Sequence, residues 1–160
     1  MNISEYIEHT LLKQDATKDG LAKLFEEAKE NNFLGVCVNP CFVRDAKTAL
    51  KDSDVKIVTV IGFPLGANTS EVKAFETKKA LEDGADEIDM VINVSKLKDK
   101  DFEYVKQDIE AVRHACPNNI LKVILETDLL TKDEIKKACE ICIDAKADLV
   151  KTSTGFVKNG

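Results

Sequence analysis

At 160 residues, 44% of them hydrophobic and 32% charged, with only 7 Gly and 3 Pro, the chain has the make-up of one globular domain spanning 1–160, and collagen-like, low-complexity and disordered classes are excluded. Its 23 Lys and Arg stand against 29 Asp and Glu, and the net charge of −6 argues against a basic nucleic-acid footprint or a polybasic membrane tether. No apolar run approaches the roughly 20 residues that cross a bilayer, and the opening MNISEYIEHT lacks the basic and apolar regions of a signal peptide, so a cytoplasmic protein is expected.

Taken in chain order, the pattern alternates. Glu8-His9-Thr10-Leu11-Leu12 is counted as a short first strand. Apolar, β-branched runs follow at Gly35 to Val38, Val55 to Ile61, Glu87 to Asn93, Ile120 to Glu126 and Leu149 to Thr152, the signature of buried strands. Between them lie helical stripes: Leu21, Leu24, Phe25 and Ala28; Phe42, Val43, Ala46 and Leu50; Val72, Phe75, Ala80 and Leu81; Val105, Ile109 and Val112; Ile135, Ala138, Cys139 and Cys142.

Asn39 before Pro40 reads as a cap with Pro at the first helical position, Gly84 as the stop after a helix, and Thr131 with Glu134 as a capping box. Strands alternating with helices through short links imply parallel βα units with right-handed crossovers, an α/β protein.

Two features favour a TIM (β/α)8-type barrel over an open doubly wound sheet. No G-x-G-x-x-G or Walker-type loop follows any strand. Polar residues also recur on alternate strand positions: Glu87, Asp89 and Asn93; Lys122 and Glu126; Lys151 and Ser153. Alternation puts each set on one face, as in a barrel interior that turns polar toward its C-terminal mouth.

The chain has 5 cysteines, an odd number set within apolar patterns, which suits free thiols in a reducing compartment. Cys139 and Cys142 form a C-x-x-C, but in a helical stretch and not at the strand-to-helix turn where a helix N-terminus stabilises a thiolate. A zinc site would want two more ligands, and the nearest candidates, Cys37 and Cys41, lie far away in sequence. Core packing is the reading, with neither metal nor cofactor expected.

Lys151 interrupts an apolar strand and is followed by Thr152-Ser153-Thr154-Gly155. It is either a strand-end lysine snorkelling to water or a desolvated amine that attacks a carbonyl and forms a Schiff base. Lys122 points inward by the same alternation, and Asp89, between Ile88 and Met90, is within reach of both amines. Asp89 is read as the buried ion-pair partner of Lys122, as a proton shuttle acting through a water, or as both. The hydroxyl and glycine run Thr152 to Gly155 suits a phosphate, as barrel loops after late strands do, or is a plain strand-to-loop turn. Gly62 to Asn68, with its Gly and Pro, reads as a fixed turn at the same mouth.

Six motifs in order carry a resemblance: Glu8-His9-Thr10-Leu11-Leu12-Lys13, Gly35 to Pro40, Val58 to Gly66, Gly84 to Val91, Leu121 to Thr127, and Val150-Lys151-Thr152-Ser153-Thr154-Gly155-Phe156. Together they closely resemble the deoxyribose-phosphate aldolase family, class I aldolases on a (β/α)8 barrel. The resemblance implies cleavage of 2-deoxy-D-ribose 5-phosphate, a small phosphorylated sugar, to D-glyceraldehyde 3-phosphate and acetaldehyde, by a homo-oligomer. It puts the Schiff-base lysine on Lys151, the proton-relay aspartate on Asp89 and the assisting lysine on Lys122. Thr10 and Cys37 match positions lining the site, and Thr154 and Gly155 match the start of the phosphate-binding set.

The family continues through two further βα units, with a second catalytic lysine in a K-x-x-G-G-x-R segment and a Ser-rich phosphate loop. The chain therefore reads as about six of eight units, truncated on the C-terminal side. Two other functions stand beside the aldolase: another Schiff-base barrel lyase for a phosphorylated sugar, and a non-catalytic barrel fragment acting only in assembly.

Overall fold

The structure is a computed structural model that describes residues 2–157. Six strands stand in chain order in one sheet, β1 (Glu8–Leu11), β2 (Gly35–Val38), β3 (Lys56–Ile61), β4 (Glu87–Val91), β5 (Ile120–Ile124) and β6 (Leu149–Lys151). The pairs β1–β2, β2–β3 and β5–β6 run parallel, with Thr10 opposite Cys37 and Lys151 opposite Ile124. Between the strands lie α1 (Lys18–Glu30), α2 (Val43–Ala49), α3 (Ser70–Asp83), α4 (Val94–Lys98), α5 (Phe102–Ala115) and α6 (Lys132–Asp144). This is the βα repeat of a (β/α)8 barrel carried through six strands.

Several helices start where a short polar side chain accepts a free backbone N–H. Thr17 accepts from Gly20 N at 3.2 Å, Asn93 from Lys96 N at 3.1 Å and Asp101 from Tyr104 N at 3.3 Å. At α6 the expected capping box forms: Thr131 Oγ1 accepts from Glu134 N at 3.3 Å and Glu134 Oε2 accepts from Thr131 N at 2.7 Å. Gly84, with φ +109°, follows the end of α3 as anticipated.

Asn39 holds the expected cap position before Pro40 but not the expected side-chain bond. Pro40 opens a 3-10 turn, Pro40–Phe42, yet the Asn39 side chain makes no cap; its amide instead donates to the Leu12 carbonyl at 3.3 Å.

Residues Met1–Val60 with Ala80–Glu87 form one compact unit, and Ile61–Lys79 with Ile88–Gly160 form another. In the first, Leu21, Leu24, Phe25 and Ala28 of α1 are buried as a stripe, and α1 packs on β1 and β2. In the second, Ile88 and Met90 of β4, Leu121 and Val123 of β5, and Val105, Ile109 and Val112 of α5 are fully buried. Each such aliphatic side chain stabilises the fold by about 1.5–3 kcal/mol relative to exposure.

The third helical stripe holds at Ala80, which is buried, and is reversed at its start. Val72 and Phe75 of α3 are 48% and 72% exposed, while Lys73 and Thr77 are fully buried. What turns the helix is the lysine. Its Nζ donates to the Val91 carbonyl at 3.0 Å and to Asp108 Oδ2 at 2.5 Å, and Ser70 Oγ occupies Asp108 Oδ1 at 2.9 Å. The stem of Lys73 lies under Gly62, where a Cβ would come within 2.9 Å of its Cε.

The turn between β3 and α3 is held closely. Gly66 adopts φ +67°, and a side chain there would drive a Cβ to 2.1 Å from the Ile92 carbonyl oxygen, so backbone handedness and close approach both demand glycine. The Phe63–Pro64 bond is cis, and Gly62 N donates to Glu76 Oε2 at 2.8 Å.

Candidate active site

Strand alternation on β4 sends Ile88 and Met90 to one face and Asp89 to the other. On β5 and β6 the register sets Lys122 opposite Leu149 and Ile124 opposite Lys151, so the two lysines share a face two residues apart along the strands. Both reach the same carboxylate. Lys122 Nζ donates to Asp89 Oδ1 at 3.1 Å, and Lys151 Nζ donates to Asp89 Oδ2 at 2.6 Å.

The three side chains are not equally hidden. Those of Asp89 and Lys122 are 1% and 5% exposed, whereas that of Lys151 is 33% exposed. A buried carboxylate that gives one oxygen to each of two ammoniums is fully committed, and its charge is compensated inside the fold. Lys151 is the member that solvent or a small molecule can reach. Its head bonds to Asp89 and does not simply snorkel to water.

The ion pair of Asp89 with Lys122 forms, and the second carboxylate oxygen is taken by Lys151. The carboxylate is in hydrogen-bond reach of the amine it would deprotonate, and Lys122 holds its other oxygen.

The loop after β6 is tied to the end of β5. Leu125 N donates to the Lys151 carbonyl at 2.9 Å and Thr127 N to the Thr152 carbonyl at 2.8 Å. Thr154, 8% exposed, commits both its N–H and its hydroxyl to the buried carboxylate of Glu126. Gly155 is exposed with φ +80°. Phe156 meets Phe63 edge to face at a centroid distance of 5.2 Å, joining this loop to the Gly62–Gly66 turn.

Of the residues singled out from sequence, Lys151, Asp89 and Lys122 are brought into one cluster within the second unit. Thr154 and Gly155 stand in the loop that follows it. Thr10 and Cys37 face each other in register on β1 and β2 in the first unit, Thr10 exposed with its hydroxyl donating to the Glu8 carbonyl at 2.9 Å, Cys37 buried.

Glu126 was legible only as an inward polar position. The Lys73–Asp108 pair had no signal, since its helix showed a stronger apolar stripe elsewhere. Cys139 and Cys142 lie along α6 as free thiols, and no group of His, Cys, Asp and Glu among the described residues is disposed to hold a metal.

Comparisons with known proteins bear on the family and the fold. The model of the DeoC/LacD family aldolases matches residues 5–160. Over 160 residues the chain is 55% identical to a deoxyribose-phosphate aldolase of Finegoldia magna and 57% identical to one of Lactococcus lactis subsp. lactis, covering all of this chain and 75% and 73% of those proteins. It superposes with a TM-score of 0.88 on a tetrameric deoxyribose phosphate aldolase from Aeropyrum pernix, at 33% identity over 96% of this chain and 65% of that one. The chain thus spans about three quarters of the curated relatives, and it belongs to the DeoC/LacD family of aldolases.

Proposed function

We propose that the chain carries the Schiff-base chemistry of a class I aldolase that cleaves 2-deoxy-D-ribose 5-phosphate to D-glyceraldehyde 3-phosphate and acetaldehyde. The observation that carries the reading is the Lys151–Asp89 contact of 2.6 Å with Lys122 on the other carboxylate oxygen. Asp89 takes a proton from the Lys151 ammonium, and the free amine attacks C1 of the open-chain aldehyde to give a carbinolamine. Loss of water, with a proton returned to the departing hydroxyl, leaves an iminium on Lys151.

Asp89, a carboxylate again once it has given its proton to the departing hydroxyl, takes the 3-hydroxyl proton through a water as the C2–C3 bond breaks. The bond's electron pair moves to the iminium, so that D-glyceraldehyde 3-phosphate departs and an enamine remains. Protonation at C2 and hydrolysis release acetaldehyde and regenerate the amine. Lys122 keeps Asp89 oriented throughout and balances its charge. Lys151 closes β6 while Asp89 and Lys122 stand midway along β4 and β5, and the C-terminal mouth to which such strands lead is where βα-barrel enzymes build their sites. A Schiff-base lyase of another type would share Lys151 but not the Asp89–Lys122 arrangement.

The working form is a cytoplasmic homo-oligomer, a reading supported by the tetrameric relative from Aeropyrum pernix. Among the described residues no helix is long and apolar enough to cross a membrane.

Borohydride reduction in the presence of acetaldehyde, followed by peptide mapping, tests the assignment. The adduct is expected on Lys151 and absent from Lys151→Arg, which keeps the charge without the nucleophile. An adduct on Lys122 instead, or none, overturns it.

A further inference from the structure

We propose that Glu126 is a positioning residue for the phosphate end of the substrate: its buried carboxylate sets the loop Thr152–Gly155 that follows the Schiff-base lysine. The inference rests on the aldolase reading above and adds to it a residue that touches no reacting atom.

Glu126 follows β5 directly and is 3% exposed, with φ 55° and ψ 62°. A non-glycine residue in this left-handed region is disfavoured, and such a conformation persists where the surroundings over-determine it. Here they do so through one neighbour. Thr154 N lies 3.2 Å from Glu126 Oε1 and 3.3 Å from Oε2, the Thr154 hydroxyl donates to Oε2, and that hydroxyl in turn accepts from Phe156 N at 3.1 Å. A buried carboxylate is costly unless hydrogen-bonded, and the loop supplies the donors that keep it.

The consequence lies on either side of Thr154. Its own N–H is used, while the N–H groups of Ser153 and Gly155 make no hydrogen bond among the described residues. Gly155, at φ +80°, has nothing within 4 Å of where a Cβ would stand, so the glycine answers to backbone handedness and not to crowding. N–H groups left open on either side of Thr154, beside a left-handed glycine, can converge on an anion. The same tie reaches back to the nucleophile, because Leu125 and Thr127 donate to the carbonyls of Lys151 and Thr152 on either side of Glu126.

The charge of Glu126 itself opposes an anion, so what it contributes is geometry. That sets two substitutions apart. Glu126→Gly accepts the left-handed backbone more readily than Glu but holds nothing. Glu126→Gln keeps an amide oxygen that accepts from Thr154 and removes the charge.

The test titrates the 160-residue chain with inorganic phosphate and follows the Ser153 and Gly155 amides by NMR, with acetaldehyde trapping at Lys151 measured in parallel. Both amides are expected to shift in the unsubstituted chain. In Glu126→Gly the phosphate affinity falls about tenfold, the scale of one to two lost hydrogen bonds, and falls by more than trapping does. In Glu126→Gln it stays within about threefold. Thr154→Val, which removes the hydroxyl from the other end, weakens phosphate in the same direction.

Unshifted Ser153 and Gly155 amides in the unsubstituted chain, or equal phosphate affinity in Glu126→Gly, overturn the proposal. Loss of trapping with the phosphate pattern intact would overturn the Schiff-base reading and leave the loop assignment standing.

Discussion

Lys151 Nζ rests 2.6 Å from Asp89 Oδ2, an ammonium and a carboxylate joined across β6 and β4 with only the lysine open to solvent. Asp89→Asn keeps the shape but presents an NH2 to one of two ammoniums, a donor facing a donor. Turnover is expected to fall by about 10²-fold or more, the scale of a positioned acid-base group, while imine trapping at Lys151 is slowed and still detectable. The buried Lys122 loses part of its compensation, so the variant should also be less stable by about 3 kcal/mol. Urea unfolding and trapping rates on the same samples separate the two effects. A variant that unfolds more easily yet keeps its rate per folded molecule would make Asp89 only the partner of Lys122.

Lys73 and Asp108 give a stability test away from the chemistry. Both side chains are fully buried, and burial pushes the Lys73 ammonium below its ordinary range against the opposing pull of Asp108. Lys73→Met strands the carboxylate and should cost about 3–5 kcal/mol. Adding Asp108→Leu removes the stranded charge, and most of the loss should return. If the double variant is as unstable as the single one, the pair is needed for its hydrogen bonds to Val91 and Ser70 and not for its charge balance.

Much of this architecture was readable in the sequence, because strands and most helices announce themselves by burial on one face. Val105, Ile109 and Val112 form the inward stripe of α5. The strand polar residues Asp89, Lys122 and Lys151 were legible for the same reason: each broke an apolar run on alternate positions, and parity alone put them together.

The reading failed where a polar group is buried by a partner distant in sequence. Phe75 looked inward and Lys73 outward until Asp108, 35 residues away, supplied the carboxylate that reverses the helix. Asn39 had the right identity for a cap, but the Leu12 carbonyl competed for its amide. Glu126 shows the same limit, its role set by Thr154, 28 residues on.

The thiols offer a pH test. Burial pushes Cys142 from the ordinary 9.0 up to about 12 and also raises Cys116, while Cys41 is exposed. At pH 8 Cys41 should react with iodoacetamide first, with Cys142 and Cys116 labelled only on unfolding. The sign for stability follows from proton counting. Between 9.0 and about 12 the unfolded chain has released the Cys142 proton and the folded chain still holds it. Folding is therefore weakened as pH rises through that window, with a slope approaching about 1.4 kcal/mol per pH unit, and the thiol contributes nothing near neutrality. Urea midpoints at pH 8 and pH 10 measure it. Early labelling of Cys142 in the folded chain would show that α6 opens locally.

The last expectation concerns residues 1–160 made alone. β6 stands at the end of the strand order, with Leu149 53% and Val150 45% exposed, and Ile143 on α6 is 74% exposed. A strand at a sheet edge that exposes apolar side chains recruits a partner. Sedimentation should therefore show concentration-dependent association and an apolar dye should bind. Leu149→Lys, a charge on that edge, should reduce both.

Retro-aldol turnover should lie at least about 10³-fold below that of a full-length relative, since groups that act as a unit are not additive. The second lysine and the Ser-rich phosphate loop that the family resemblance implies are not found in this sequence, which covers 75% and 73% of two of those relatives. A dye-silent monomer with the turnover of those relatives would mean that Lys151, Asp89 and Lys122 suffice alone and that the β6 edge is covered within the chain.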